Sequence, residues 1–155
     1  MAIFGIGVDL VQLPRIAAAL SRHPSRFPAR ILSPSELSDW RQYASATAAE
    51  RVRFLAVRWA VKEAAYKALS AAYRPVWHEL TYAHGPAGRP MLQYQPKEGF
   101  PHPAGGMEDA VSEMKARRVG DGLGAPTPRL KALHTSVSHD GEYAIANVLA
   151  EVHDT

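Results

Sequence analysis

The spacing of apolar and polar positions changes along this chain, and each spacing predicts a type of element. Residues 2–8 are a short, mostly apolar run, which predicts a buried strand. Pro14 marks the start of a short helix that we expect over residues 15–20, ended by residues 21–24. The first part of the chain is therefore predicted to be a strand followed by a helix.

Two capping-box patterns predict where the next helices begin. Ser33, Pro34 and Glu36 place an N-cap, a helix-starting proline and an acidic third residue in order, so a helix is expected to about residue 43.

Thr47 and Glu50 repeat the capping pattern before an alanine-rich stretch without proline or glycine, which predicts the longest helix, to about residue 72. At about 1.5 Å per residue this helix would be close to 40 Å long. Its buried stripe is expected from Phe54, Leu55, Val61, Ala65 and Leu69.

Strand patterns dominate after Pro75. Residues 79–83 and 90–94 flank a glycine-containing turn and predict one hairpin. Residues 132–138 and 143–152, with Asp140-Gly141 between them, predict another. Because the helices precede the hairpins, we expect an α+β fold in which the long helix packs on a mostly antiparallel sheet.

The segment at about 95–128 interrupts this pattern, because it is rich in proline and glycine and offers a single candidate helix, residues 107–119. We interpret it as an insertion within one domain that spans residues 1–155, a length that suits a single core.

Composition and charge exclude several classes of function. The net charge of +3 is too small to argue for a nucleic-acid partner. The absence of cysteine rules out disulfides, thiolate metal sites and cysteine nucleophiles. No apolar stretch approaches the roughly 20 residues that cross a bilayer, and no signal peptide precedes the first strand. We therefore expect neither a membrane partner nor secretion.

Asp9 and Glu63 are the leading candidates for chemistry. Asp9 follows the apolar first strand, where it is either a turn-capping residue or an oxygen ligand for Mg²⁺. Glu63 lies on the long helix among Arg58, Lys62 and Lys67, which is either a solvated face with ion pairs or a charged site. Together the two carboxylates could hold a divalent metal over a polyphosphate, which suggests phosphoryl or phosphopantetheinyl transfer.

His139 ends a predicted strand beside a tight turn, where its side chain could project into a cleft. A hydrolase triad of His139 with Ser136, Ser138 and Asp140 is a poor interpretation, because triads are assembled in space and not along one turn.

A series of arginines surrounds the first helix and the loop after it: Arg15, Arg22, Arg26 and Arg30. The series is either a solvated basic surface or a docking surface for an acidic protein.

Read together, several segments resemble holo-acyl-carrier-protein synthase, the small trimeric class of 4′-phosphopantetheinyl transferases. Each motif is weak alone, but their order, with Arg-x-x-x-Lys-Glu-Ala in the middle, is specific. The matching segments are residues 5–10, 26–27, 30–33, 35–37, 54–64, 88–90, 136–139 and 143–144.

The resemblance implies transfer of phosphopantetheine from coenzyme A to a serine of an acyl carrier protein, in a homotrimer with active sites at its interfaces. It implies that Asp9 and Glu63 hold Mg²⁺, and that Glu63 accepts the serine proton directly or through a metal-bound water. The other implied catalytic residues are Lys67 and His139. The implied coenzyme A-binding residues are Arg58, Lys62, Lys67, Gly88, Arg89, Pro90, Ser138 and His139, and the implied docking residues are Arg15, Arg26 and Arg30.

Two departures from the family pattern leave questions open. Trp59 stands where many relatives have phenylalanine, and the 95–128 insertion favours a eukaryotic, mitochondrial member over a cytoplasmic one. A non-catalytic subunit that binds coenzyme A or a carrier protein is the alternative function, and Mg²⁺-dependent turnover would separate the two.

Overall fold

The computed structural model describes residues 2–69, 73–96 and 128–154 of the protein. Three strands form an antiparallel sheet in the order β1-β5-β4, where β1 is Ala2–Gln12, β4 is Leu130–Asp140 and β5 is Tyr143–Val152. The hairpin of β2 (Leu80–His84) and β3 (Pro90–Tyr94) forms a second, two-stranded sheet beside β4. The predicted α+β class with antiparallel strands is confirmed.

The long helix α4 (Ala48–Leu69) packs on β1 and β5 and supplies much of the core. All five residues predicted for its buried stripe are buried, and several alanines join them because the sheet approaches the helix closely. Thr47 and Glu50 form the predicted capping box: the Thr47 amide donates to Glu50 Oε2 at 2.8 Å, and the Glu50 amide donates to Thr47 Oγ1 at 3.2 Å. Residues 70–72 of the prediction lie outside the described residues.

Three shorter helices connect β1 to α4: α1 (Leu13–Arg22), α2 (Arg26–Ile31) and α3 (Pro34–Gln42). The Ser33 capping box of α3 is present as predicted. The helix α2 was not predicted, because its six residues include a proline and are too few for a periodic pattern. Among the described helices, none is long and apolar enough to cross a bilayer.

The prediction that the first strand is buried is wrong for one of its faces. Ile3, Ile6, Val8 and Leu10 have exposed side chains, between 45% and 64% accessible. Ile6, Val8 and Leu10 point away from α4, while Gly5, Gly7 and Val11 face it, because side chains alternate along a strand. The β-bulge between Ile3 and Gly5 shifts this alternation and puts Ile3 on the open face as well. Within the described residues, one apolar face of the sheet is therefore left open.

The hairpins agree with the sequence apart from their ends. The last turn consists of Gly141 and Glu142, one residue later than predicted, since Asp140 pairs with Tyr143. Gly141 has a φ of +52°, a conformation that glycine adopts without strain. The predicted helix at residues 107–119 lies outside the described residues, and the single-domain organisation stays a prediction.

Candidate active site

Asp9 and Lys67 meet where β1 crosses α4. The Lys67 amine donates to Asp9 Oδ1 and to the carbonyl oxygen of Val8, both at 2.8 Å. The Asp9 side chain is 16% exposed and that of Lys67 is 49% exposed, so the pair lies at the edge of the core and is open to a ligand.

Gly5 and Gly7 make this meeting possible. A β-carbon on Gly5 would lie 2.2 Å from the carbonyl oxygen of Ala68, and one on Gly7 would lie 1.9 Å from that of Ala64. Both distances are far below van der Waals contact, so only glycine allows the strand to approach the helix backbone this closely. The two glycines thereby bring Asp9 beside the helix turn that carries Glu63.

Glu63 is half-buried next to Asp9. Burial raises the pKa of the Glu63 carboxyl and the negative charge of Asp9 raises it further, while Lys67 and Arg15 lower it. Arg15, predicted for carrier-protein docking, is thus within electrostatic reach of Glu63.

The donor set fits a magnesium ion that shares its ligands with a substrate. Mg²⁺ is commonly held by one or two carboxylates together with phosphate oxygens and waters. Asp9 and Glu63 supply two carboxylates, and the described residues contain no cluster of three or more metal-ligating side chains. Substrate phosphate oxygens and waters would complete the coordination of such an ion.

Lys62 occupies a different place from that predicted for a phosphate ligand. Its side chain is 1% exposed, and its amine donates to Glu36 Oε2 at 2.5 Å, to the Ile31 carbonyl at 2.7 Å and to the Trp77 carbonyl at 2.9 Å. Burial lowers the pKa of Lys62 to about 8, against the opposing effect of Glu36. All three ammonium protons are used inside the protein, so a role of Lys62 in coenzyme A binding stays a prediction without support from this geometry.

Arg58 borders a cavity of about 390 Å³. Its side chain is 8% exposed; Nη1 donates to the Phe54 carbonyl at 3.2 Å, and Nε lies 3.6 Å from Glu36 Oε1, too far for a hydrogen bond. Burial lowers the pKa of the guanidinium. The cavity is lined by Tyr43, Glu50, Arg53, Phe54, Val57, Arg58, Tyr82, His84, Pro90, Val137 and His139.

The cavity joins two of the predicted regions. His139 from the end of β4 and Pro90 from the start of β3 both line it with Arg58. Gly88 and Arg89 form the turn just before Pro90. Ser138 precedes His139 and is exposed, on the opposite side of the strand by alternation.

The sequence interpretation missed several residues of the cavity. Glu50, Arg53 and Val57 follow one another on α4 at three- and four-residue spacing, which could have marked them as one helix face. His84 enters through the β2–β3 hairpin, and no sequence signal distinguished it. Glu36 was recognised as a capping residue but not as the partner of Arg58 and Lys62.

The predicted docking arginines are all exposed and belong to the first two helices. Arg15 lies in the first turn of α1, Arg26 begins α2 and Arg30 lies in its last turn.

Comparison with known proteins gives this arrangement a family. The sequence profile described as the 4′-phosphopantetheinyl transferase superfamily matches residues 5–113. A holo-[acyl-carrier-protein] synthase from Koribacter versatilis is 34% identical over 151 residues, which cover 96% of this chain and 98% of the relative. The chain belongs to the holo-[acyl-carrier-protein] synthase family. A second relative with this name, from Edwardsiella ictaluri, is 35% identical and covers 97% of this chain and 99% of its own.

Solved structures of synthases support the fold of this family member. The holo-[acyl-carrier-protein] synthase from Neisseria meningitidis matches with a TM-score of 0.68 and 27% identity, covering 97% of this chain and 99% of its own. A complex of such a synthase with coenzyme A from Chronobacterium ammoniagenes matches with a TM-score of 0.63 and 31% identity, covering 99% and 100%. The range matched by the profile includes the positions of Asp9, Arg58 and Glu63, whereas His139 lies beyond it.

Proposed function

We propose that this chain transfers the 4′-phosphopantetheine group of coenzyme A to a serine of an apo acyl carrier protein. The observation that carries the proposal is the grouping of Asp9, Glu63 and Lys67 at one crossing of strand and helix, together with the cavity that Arg58 and His139 line. Arg58 and Glu63 both lie on α4, five residues apart, so one helix contributes to the crossing and to the cavity.

Glu63 is the candidate general base. The serine oxygen attacks the phosphorus that carries pantetheine, and the bond from that phosphorus to the bridging oxygen breaks. The bridging oxygen leaves with adenosine 3′,5′-bisphosphate, and Glu63 accepts the serine proton. A carboxylate that is half-buried at this crossing can accept the proton of a serine placed within hydrogen-bond distance.

Asp9 and Glu63 would hold Mg²⁺, which when bound would stabilise negative charge on the pyrophosphate. The carboxylates repel each other, since Asp9 raises the pKa of Glu63, and a cation would relieve this repulsion. Lys67 has its amine at the same place and would bind a pyrophosphate oxygen.

Arg58 and His139 would bind the remaining phosphate of coenzyme A, on the ribose. The Arg58 guanidinium borders the cavity and supplies positive charge to an anion there. Pro90, after the turn of Gly88 and Arg89, lines the same cavity and would contact the nucleotide.

Arg15, Arg26 and Arg30 would receive the carrier protein. Their exposure on α1 and α2 leaves them available to an acidic helix, and Arg15 lies near enough to Glu63 to connect docking with the reacting serine.

We also propose that three copies assemble through the open face of the β1-β5-β4 sheet. Ile3, Ile6 and Leu10 are each at least 60% exposed, and the register places Leu149 and Ile145 of β5 beside Ile6 and Leu10. Such a contiguous apolar face marks an interaction surface, and a closed ring of three would cover it on every copy. The mitochondrial matrix and the cytoplasm both stay predictions for the compartment.

Incubation of apo acyl carrier proteins from several sources with this protein, coenzyme A and Mg²⁺ tests the reaction. We expect release of adenosine 3′,5′-bisphosphate in equal amount to the carrier protein modified, as measured by chromatography. A carrier protein whose acceptor serine is replaced by alanine is the control. If the protein binds coenzyme A but releases no adenosine 3′,5′-bisphosphate with any of the carrier proteins, it would instead be a non-catalytic subunit.

A further inference from the structure

Glu36 lies at the centre of a buried charge cluster that the proposed reaction does not use. The residue is 1% exposed and belongs to the first turn of α3. Its Oε2 accepts hydrogen bonds from the Ser33 amide at 2.7 Å and from the Lys62 amine at 2.5 Å, while Oε1 accepts one from the Tyr82 amide at 2.9 Å. One carboxylate thus joins α3, α4 and β2.

The cluster contains one more positive charge than negative charges. Glu36 faces both Lys62 and Arg58, which are one helical turn apart on α4. Lys62 makes the shorter contact, on Oε2, whereas Arg58 Nε stays 3.6 Å from Oε1. Asp39 attracts Arg58 from the exposed surface of α3. Arg58 is therefore held near Glu36 without being neutralised by a hydrogen-bonded partner.

The position of Arg58 depends on few contacts. Apart from Glu36, its guanidinium contacts the Phe54 carbonyl through Nη1 and stacks over the Phe54 ring, with the Tyr82 ring further away at 5.6 Å. Phe54 lies one turn earlier on the same helix and fixes only one side of the guanidinium. The charges of Glu36 and Asp39 both attract Arg58 towards α3, and Glu36 does so more strongly.

We propose that Glu36 is a positioning residue that sets the contact of Arg58 with the ribose phosphate of coenzyme A. This inference rests on the proposed function, because it deepens the role of the cavity bordered by Arg58. Glu36 holds Nε on the α3 side, so that the remainder of the guanidinium meets the phosphate in the cavity. Lys62 makes the closer ion pair with Glu36. The negative charge of Glu36 therefore does not fully compensate the positive charge of Arg58, which can still bind an anion.

Comparison of coenzyme A with 3′-dephospho-coenzyme A as substrates isolates this contact. The kcat/KM for coenzyme A divided by that for 3′-dephospho-coenzyme A measures the preference that the ribose phosphate alone confers. We expect Arg58→Ala to reduce this preference for coenzyme A at least 10-fold. We expect Glu36→Gln to reduce it at least 5-fold through KM for coenzyme A, with kcat/KM for the dephospho substrate within about 2-fold of the unmodified protein.

The double variant Glu36→Gln/Arg58→Ala should show the same preference as Arg58→Ala alone, because Glu36 acts through Arg58. If Glu36 were only structural, Glu36→Gln would lower kcat/KM for both substrates in parallel, and this result would overturn the inference. An additional loss of preference in the double variant would overturn it as well.

Glu79→Gln is the matched control, because it makes the same chemical change in another buried carboxylate, 2% exposed, whose Oε2 accepts a hydrogen bond from the Val76 amide. It should lower thermal stability while keeping the preference within about 2-fold. If Glu36→Gln does not fold, Glu36→Asp keeps the charge and withdraws it from Arg58 by one methylene, and it should reduce the preference in the same direction. An unchanged preference in Glu36→Asp, with Arg58→Ala impaired, would contradict the inference.

The proposed function fails in a different way. If the unmodified protein transfers phosphopantetheine from neither substrate, the reaction itself is refuted. If it transfers phosphopantetheine from both substrates, and the Glu36 substitutions lower kcat/KM for both in parallel, the reaction stands and the inference fails.

Discussion

Gly7 and the carbonyl oxygen of Ala64 are in contact so close that a β-carbon on Gly7 would lie 1.9 Å from that oxygen. The contact fixes the distance between β1 and α4, and therefore the distance between Asp9 on the strand and Glu63 on the helix. Gly7, which has no side chain, thus controls the distance between the carboxylates of Asp9 and Glu63.

Gly7→Ala should separate β1 from α4. We expect a loss of about 1–3 kcal/mol of unfolding free energy in urea denaturation, as for other overpacked positions. Transfer activity in the fraction that stays folded should fall more than 10-fold, because Asp9 moves away from Glu63. Gly85→Ala is the control, since its β-carbon would clash only with the flexible side chain of Met91. Equal effects of the two substitutions would contradict the role of Gly7.

Lys62 should make stability depend on pH in the alkaline range. Its pKa is lowered by burial to about 8, below the 10.5 of a solvated lysine, so unfolding takes up a proton between these two values. The contribution of Lys62 to the unfolding free energy is therefore smallest below pH 8 and grows as the pH rises towards 10.5.

Glu36→Gln/Lys62→Met provides the reference for this effect, because it removes both charges of the pair and leaves neither buried alone. The unfolding free energy of the unmodified protein minus that of the double variant, from urea titrations, should rise by on the order of 1 kcal/mol or more between pH 7.5 and 10. A difference that is constant or falls over this range would show that the Lys62 pKa is not lowered.

Charge reversal at the docking arginines should weaken carrier-protein binding without affecting coenzyme A. Arg26→Glu and Arg30→Glu are each expected to raise KM for the carrier protein about 5- to 10-fold, roughly 1 kcal/mol, with KM for coenzyme A unchanged. The effect should shrink at high salt. Arg41→Glu on α3, also exposed, is the matched control. An equal rise in the KM for the carrier protein with Arg41→Glu would show a general effect of charge and not a specific docking surface.

An aspartate on the open sheet face should prevent assembly. Leu10 is 60% exposed in the isolated chain, so Leu10→Asp should fold, but it would place a charge in the proposed trimer interface. Light scattering after size exclusion should give about three times the 16.9 kDa of one chain for the unmodified protein and a single chain for Leu10→Asp. Val76→Asp, at an apolar residue 41% exposed outside the sheet, should remain trimeric. A monomeric unmodified protein would refute this interface.

The sequence predicted the fold well where local signals were strong. The capping boxes at Ser33 and Thr47 placed the starts of α3 and α4, because N-cap hydrogen bonds depend on residues only three apart. The exposed face of β1 was missed because its apolar residues suggest burial, whereas the described part of the chain leaves them exposed. Only the register between strands shows which residues share that face.

The site was predictable only in part, for a related reason. Asp9 and Glu63 stand out because each carboxylate has an unusual sequence setting, but their approach depends on Gly5 and Gly7 meeting the α4 backbone. Lys62 could not be separated from Lys67 by spacing alone. Lys62 lies in the core against Glu36, whereas Lys67 lies at the edge of the core with Asp9. This difference depends on how α3 packs against α4.

Intact-mass spectrometry of an apo acyl carrier protein is the decisive test of the proposed transfer and of the role of Glu63. The carrier protein is incubated with coenzyme A, Mg²⁺ and either the unmodified protein or Glu63→Gln, with Asp154→Asn as a control for loss of an exposed carboxylate. We expect the carrier protein to gain one phosphopantetheine with the unmodified protein and with Asp154→Asn. The gain should be at least 100-fold slower with Glu63→Gln or after chelation of the metal. Modification at the full rate by Glu63→Gln would refute the proposed role of this carboxylate.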